Sequence, residues 1–478
     1  MTDALPAGGD LAALSLTEAA AAVAAGEATA TDLVRACLAR IDAHDGAVNA
    51  LIRLDRDEAL QAAAAADQAR AAGAPLGPLH GVPLAQKDMY YRAGRVSSCG
   101  SAIRREFAPA VTATVIGRLD AAGSIDLGTL NMAEFAFNPT GHNHHRGDCH
   151  NPWDLARCTG GSSSGSGAGV AARFFYGALG SDTGGSIRLP ATMCGVTGIK
   201  PTQTRVSRFG VMPLSFTCDN VGPLARTARD CARLLGVIAG HDPKDPTSAR
   251  EPVPDYEAAL DGDLRGQRVA VVDWFLEGAE PAILHVFERA LQVLRDRGAE
   301  VHRLDAPVLD AVATYGGVIS RVEAATIHAE WMRGRVAEYA PHFVGRLYPG
   351  YAIPAHAYVE ALSRRGPVLR EFVAQAMGHA DLVAVPTLRA HVPTLAETDL
   401  ETDFAAHWDR HMALTANTRP FNYLGLPAAS IPIGFDDNGV PVGLTLAARP
   451  FAEARVLRAA DAYQRDTDWH RRMPTAVA

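Results

Sequence analysis

Residues 160–190 read GGSSSGSGAGVAARFFYGALGSDTGGSIRLP, with nine glycines and six serines among 31 positions. Glycine loses more backbone freedom on folding than any other residue. A chain keeps it at this density where the backbone must approach a ligand or present its N–H groups. A flexible Gly/Ser linker would lack the apolar anchors Val170, Ala171, Phe174, Phe175 and Leu179 that interleave here. The stretch therefore belongs inside a fold, and its serines point to hydroxyl chemistry.

The remainder of the chain limits where such chemistry operates. With 478 residues, 48% hydrophobic and 21% charged, the chain has material for a large core and room for one large α/β domain or two to three average ones. A net charge of −8 and the lack of a basic block argue against nucleic acid and against an anionic membrane surface. There is neither a basic segment leading into an apolar run at the N-terminus nor an 18-residue apolar stretch, so neither a signal peptide nor a span is expected. Seven cysteines (Cys37, Cys99, Cys149, Cys158, Cys194, Cys218 and Cys231) form an odd, scattered set without CxxC spacing. Reduced, mostly buried thiols in a cytoplasmic protein are expected.

Helical and strand patterns alternate along the chain. Residues 16–43 carry apolar positions at helical spacing, and Thr29 with Asp32 resembles a capping box. Residues 77–91 predict a strand running into Lys87–Asp88, followed by a helix over 111–122 and a strand over 124–130. Residues 266–273, 281–298 and 299–304 read as a βαβ unit whose helix covers a sheet. Residues 310–378 read as helical, with strands over 381–387 and 428–435 and a last helix over 452–465. No repeat or long linker divides the chain. The expected fold is α/β: a single domain over 1–478 with a central mixed β-sheet sandwiched between α-helices. Its core motifs fall in 77–230, a βαβ and helical substrate-shaping region in 260–380, and C-terminal strands and helix in 381–470.

Several site types fit poorly. A P-loop needs a lysine after its last glycine, and no GK[ST] occurs; GSGAGV is only a fragment of a dinucleotide fingerprint. Gly161-Ser162-Ser163-Ser164-Gly165 matches GxSxG with Ser163 central, a match that arises easily in so Gly/Ser-rich a stretch. His411 and His470 would be the partner histidines by position alone. Residues 142–150 hold His142, His144, His145, Asp148, Cys149 and His150, but in a loop-like segment without metal-ligand spacing, so no metal is assigned.

A stronger constellation joins Lys87 in GVPLAQKD, the serines of GGSSS and Ser186 in GSDTGGSIRLPA. With GTLNMAEF, Asn151-Pro152-Trp153, GVTGIKPT, NVGPLART, FNYLGLPAASIP and GVPVGLTL, these motifs resemble the amidase signature family over roughly residues 80–450. The resemblance implies Ser186 as nucleophile, Ser162 as a bridging serine in a cis peptide, and Lys87 as base. It further implies an oxyanion hole from the N–H groups of Thr183, Gly184, Gly185 and Ser186, and Met132 and Gly161 beside the substrate. Ser163, Asp182 and Arg188 are supporting residues, the last two as a brace or ion pair. The chemistry is sound in itself: a serine hydroxyl needs a neighbour to take its proton, and a lysine does so once burial makes it neutral.

The implied activity is hydrolysis of amides through an acyl-enzyme, with aryl amides, esters and carbamates suited to the same machinery, and with a small amide and water as partners. No cofactor is expected, and the chain is expected as a monomer or homo-oligomer. The alternative is the glutaminase subunit of a tRNA-dependent amidotransferase. Residues 318–345 lack the tyrosine-rich segment expected of such a subunit, which favours an independent hydrolase. A catalytically silent binding protein is a third reading. Aromatic residues across 310–360 suggest an apolar acyl or aryl pocket, with plain helix core as the simpler explanation.

Overall fold

The computed structural model describes residues 10–478; the first nine, which bear on the signal-peptide question, lie outside the described residues. The strands in chain order are β1 (Leu51–Leu54), β2 (Pro83–Lys87), β3 (Ile125–Leu130), β4 (His150–Asn151), β5 (Asp154–Cys158), β6 (Gly177–Asp182), β7 (Thr197–Lys200), β8 (Asn220–Ala225), β9 (Arg268–Val272), β10 (Glu300–Leu304), β11 (Leu382–Pro386), β12 (Ala428–Phe435) and β13 (Pro441–Ala447). Strands β4 and β5 form a separate hairpin. The other eleven make one mixed sheet in the order β1-β3-β2-β6-β8-β7-β12-β13-β11-β9-β10. This sheet runs through all three segments distinguished in the sequence.

Helices flank the sheet: α1 (Leu16–Ala25), α2 (Ala30–Val48), α3 (Arg56–Ala71), α4 (Thr114–Ala121), α5 (Ser164–Ala171), α6 (Arg188–Cys194), α7 (Ala228–Ile238), α8 (Pro281–Asp296), α9 (Leu309–Gly334), α10 (Pro341–Ala352), α11 (Ala355–Met377), α12 (Phe404–Ala413), α13 (Arg419–Tyr423) and α14 (Glu453–Arg465). The expected β9-α8-β10 unit is present, with β9 and β10 parallel. The helical pattern over 16–43 is built as two helices. Gly26 closes α1 in the left-handed region at φ 77°, and the Thr29–Asp32 capping box starts α2.

Strands β6, β8, β12 and β13 are buried along nearly their whole length. That matches central strands covered by helices on both faces. All seven cysteines are buried and none is in a disulfide. No helix among the described residues is long and apolar enough to cross a membrane.

Candidate active site

Sheet order brings the chemistry together. Strands β2 and β6 are parallel neighbours, with Gln86 opposite Leu179, so their C-terminal ends present Lys87 and Ser181–Asp182 side by side. Helix α5 begins immediately after Ser163 and packs against both strands. Gly165 lets the helix start close to the backbone beside β1 and β3: a Cβ there would stand 2.3 Å from the Ala50 carbonyl oxygen and 2.8 Å from Asn131 N. The Gly161–Ser162 peptide bond preceding it is cis.

Lys87 is 1% exposed. Its Nζ lies 2.8 Å from Ser162 Oγ, 3.0 Å from Ser163 Oγ and 2.8 Å from Ser181 Oγ. Burial pushes the amine down to about 7, although Asp182 and Asp219 pull the other way. A neutral amine has two N–H bonds and a lone pair, so one of the three hydroxyls must donate to it. Ser163 is engaged elsewhere: its hydroxyl donates to the Ser181 carbonyl at 3.3 Å and accepts the Ser181 N–H at 3.3 Å. Ser162 and Ser181 are left as donors to the amine.

Low basicity alone does not mark the site. Lys200 is also buried and pushed down to about 7, yet among the described residues its Nζ meets only the Pro201 carbonyl, at 2.9 Å. The ring of hydroxyls distinguishes Lys87.

Ser186 lies on the loop between β6 and α6 and is 9% exposed, whereas Ser162 is fully buried. Its hydroxyl has no hydrogen-bond partner among the described residues and is left open to a ligand; catalytic contacts commonly tighten only once substrate is bound. Ser163, the middle serine of the GxSxG match, is buried with its proton committed and does not present a nucleophile.

The loop is braced from within. Asp182 accepts Arg188 Nη2 at 3.0 Å and Nε at 3.1 Å, Asn422 Nδ2 at 2.7 Å, and the N–H groups of Gly185 at 2.8 Å and Ile187 at 3.1 Å. Burial would raise its pKa, but the Arg188 charge and these bonds hold the carboxyl down to about 2. The ion pair expected between Asp182 and Arg188 is thus present and fully buried. The bond to Gly185 corrects the expected oxyanion nest: that N–H is already taken by Asp182. The N–H groups of Thr183, Gly184 and Ser186 have no partner among the described residues and remain available.

Sequence reasoning missed the outer supports of the loop. Thr418 Oγ1 donates to the Gly184 carbonyl at 2.6 Å, and Arg188 Nη1 holds the Thr418 carbonyl at 2.8 Å. Thr183 Oγ1 donates to Asp219 at 2.6 Å. Asn422 lay within a recognised motif, but nothing local in that motif signals its contact with Asp182.

Met132 and Gly161, expected near substrate, lie close to the serines but with their backbones engaged. The Met132 carbonyl accepts Asn143 Nδ2 at 2.6 Å, and Gly161 N–H donates to Pro139 at 2.8 Å. The histidine-rich loop divides its side chains among separate partners. His142 faces Asp148, His144 faces Glu401 and His145 faces Glu134, each at 2.9 Å. No group of three or more metal-ligating side chains converges among the described residues. The aromatics across 310–360 largely form core: Tyr339 and Phe343 stack at 4.9 Å and both pack on Phe135, while Tyr348 and Tyr351 face outward.

The site gathers a buried lysine and several serines at the C-terminal ends of two parallel strands of an α/β sheet, and the comparisons with known proteins show the family. The Amidase family model matches residues 32–457. A glutamyl-tRNA(Gln) amidotransferase subunit of Chloroflexus aggregans is 41% identical, over 96% of this chain and 98% of its own length. A protein from a complex described as revealing the evolutionary origins of an s-triazine catabolic enzyme superposes with a TM-score of 0.88 at 32% identity, covering 95% of this chain and 98% of that one. The peptide amidase of Stenotrophomonas maltophilia superposes at 0.81 with 30% identity, covering 96% and 98%. The chain belongs to the amidase signature family, whose members cleave carbon–nitrogen bonds.

Proposed function

We propose that this chain hydrolyses a carboxylic amide through an acyl-enzyme on Ser186. Neutral Lys87 takes the Ser162 proton, Ser162 takes that of Ser186, and the Ser186 oxygen attacks the amide carbonyl carbon. The N–H groups of Thr183, Gly184 and Ser186 receive the oxyanion, a contribution worth about 10²–10³ in rate per donor. The relay then runs backwards, protonating the leaving amine as the C–N bond breaks. Water, activated by the same relay, releases the acid. No cofactor enters these steps. The observation that carries the reading is the 2.8 Å contact between Ser162 and a lysine whose burial brings its pKa to about 7. A fluorophosphonate probe tests it: Ser186 should be the residue labelled, and labelling elsewhere would overturn the assignment.

A second reading is favoured by the relatives. The 41% match over nearly the full length of a glutamyl-tRNA(Gln) amidotransferase component supports a glutaminase subunit, against the independent hydrolase argued from residues 318–345. On that reading the chain works with partner subunits rather than as a monomer or homo-oligomer. Co-purification of partner subunits together with release of ammonia from glutamine would support it; an isolated chain that cleaves other amides but not glutamine would count against it.

A further inference from the structure

Three arginines meet beside the nucleophile loop without an acid among them. Arg419 opens α13, and its Nε lies 3.9 Å from where a Cβ on Gly184 would stand. Its methylenes cross α9 at Gly316, where a Cβ would come within 3.4 Å of them. Arg346, on α10, is 8% exposed and donates Nε to the Phe137 carbonyl at 2.8 Å, with its guanidinium 4.8 Å from the Phe137 ring centre. The next residue, Asn138, packs on Gly161, and Arg346 Nη1 lies 4.0 Å from Met412 Sδ, three residues before the Thr415 hydroxyl that Arg419 bonds. Arg321, on α9, adds like charge to both.

Among the described residues, no Asp or Glu pairs with any of the three. Arg419 bonds only the Thr415 hydroxyl, and the charges acting on Arg346 are those of Arg419 and Arg321. Burial and this repulsion press Arg346 down to about 9 and Arg419 to about 10. Buried charge without a counter-charge is costly, and folds ordinarily pair it. The carboxylates around the loop are already committed. Asp182 holds Arg188 and Asn422; Asp219 holds Thr183 and the N–H groups of Leu214 and Ser215; Glu323 holds Ser215, Thr217 and Tyr358. The missing negative charge therefore has to come from a ligand, and no free acid waits nearby for an ammonium.

We propose that the substrate is an amide bearing a free carboxylate and no ammonium group, with Arg419 and Arg346 gripping the carboxylate while the amide carbonyl lies over Ser186. The assignment rests on the amide-hydrolase reading above and narrows its substrate class. Guanidinium forks suit this task because they match a carboxylate's two oxygens.

The test uses ligands that differ by one group. Glutaramate, glutaramide and glutamine share a reach but carry, respectively, a carboxylate, no charge, and a carboxylate with an ammonium. Hydrolysis should favour glutaramate by kcat/KM, and a dicarboxylate of the malonate–succinate–glutarate series should bind by calorimetry more tightly than its diamide. Arg419→Gln and Arg346→Gln should each weaken that dicarboxylate about 10- to 100-fold. Equal or tighter binding of the diamides, or preference for glutamine, overturns the proposal; the comparison of charged with neutral ligands needs no variant. Turnover of neutral amides with Ser186 labelled but no carboxylate preference sinks this inference alone. Dicarboxylate binding without labelling of Ser186 sinks the hydrolase reading instead.

Discussion

Lys87 and Ser162 are 75 positions apart in the chain, yet Lys87 Nζ and Ser162 Oγ meet at 2.8 Å in a fully buried setting. The end of β2 supplies the amine, and the turn into α5 supplies the hydroxyl. Water is kept away from the amine, so the lysine can act as a base near neutral pH rather than near its ordinary 10.5.

Activity should rise with pH. Because the base is the neutral form of Lys87, kcat/KM is expected to climb about tenfold per pH unit below about 7 and to level off above it. A pH–rate profile on a non-ionising amide checks this, and a rate falling steadily above pH 6 would remove Lys87 as the base.

Ser186→Ala should lower kcat by about 10⁴-fold or more and abolish covalent labelling. Lys87→Ala should slow acylation chiefly, seen as a smaller pre-steady-state burst. Ser163→Ala, which removes a brace of the lysine rather than a proton carrier, should leave substantial turnover. Stopped-flow measurements on the three variants separate these roles.

Asp182→Asn should cost about 3–5 kcal/mol in urea unfolding, because it strands Arg188 in a dry site. The folded carboxyl titrates at about 2, below its ordinary 3.8. Its stabilisation, about 2 kcal/mol, is therefore complete above about pH 4 and lost as pH falls toward 2. A wild-type acid titration without a loss of stability in that window would contradict the assignment.

Adjacent glycines of the nucleophile loop should differ sharply. Gly185 has φ 138°, and a Cβ there would stand 2.3 Å from Thr418 Oγ1. Gly185→Ala should destabilise the chain by more than about 1 kcal/mol and cripple turnover. Gly184→Ala, whose nearest neighbour would be 3.9 Å away, should keep wild-type stability. Equal thermal shifts for the two would refute this.

Thr418→Val removes the 2.6 Å bond to the Gly184 carbonyl and should reduce kcat about 10- to 100-fold with KM little changed. Thr418→Ser should restore most of the rate, since it keeps the hydroxyl. A loss seen only in stability, with kcat intact, would make Thr418 structural.

Lys87, Ser162 and Ser186 stand out in the sequence because each lies in a short motif that resembles the amidase signature family, and the roles proposed for them come from that resemblance. The elements were legible where periodicity was strong, as over β9, α8 and β10. The start of α2 was legible in the Thr29–Asp32 capping box, whereas the left-handed Gly26 that closes α1 lies in an alanine-rich pattern and shows only in the structure.

Residue pattern by itself determined the α/β class, the local Gly/Ser turns and the motifs that carry Lys87, Ser162 and Ser186, since all of these depend on neighbours in the chain. Tertiary structure decided what surrounds them. Ser181 reaches Lys87 because β6 lies beside β2; Asn422 reaches Asp182 across 240 positions; Arg346 and Arg419 converge through helices from separate segments. It also took the Gly185 N–H away from the expected oxyanion nest. Hydrogen bonds and charge act through space, and no spacing along the chain records which distant strand or helix will lie alongside.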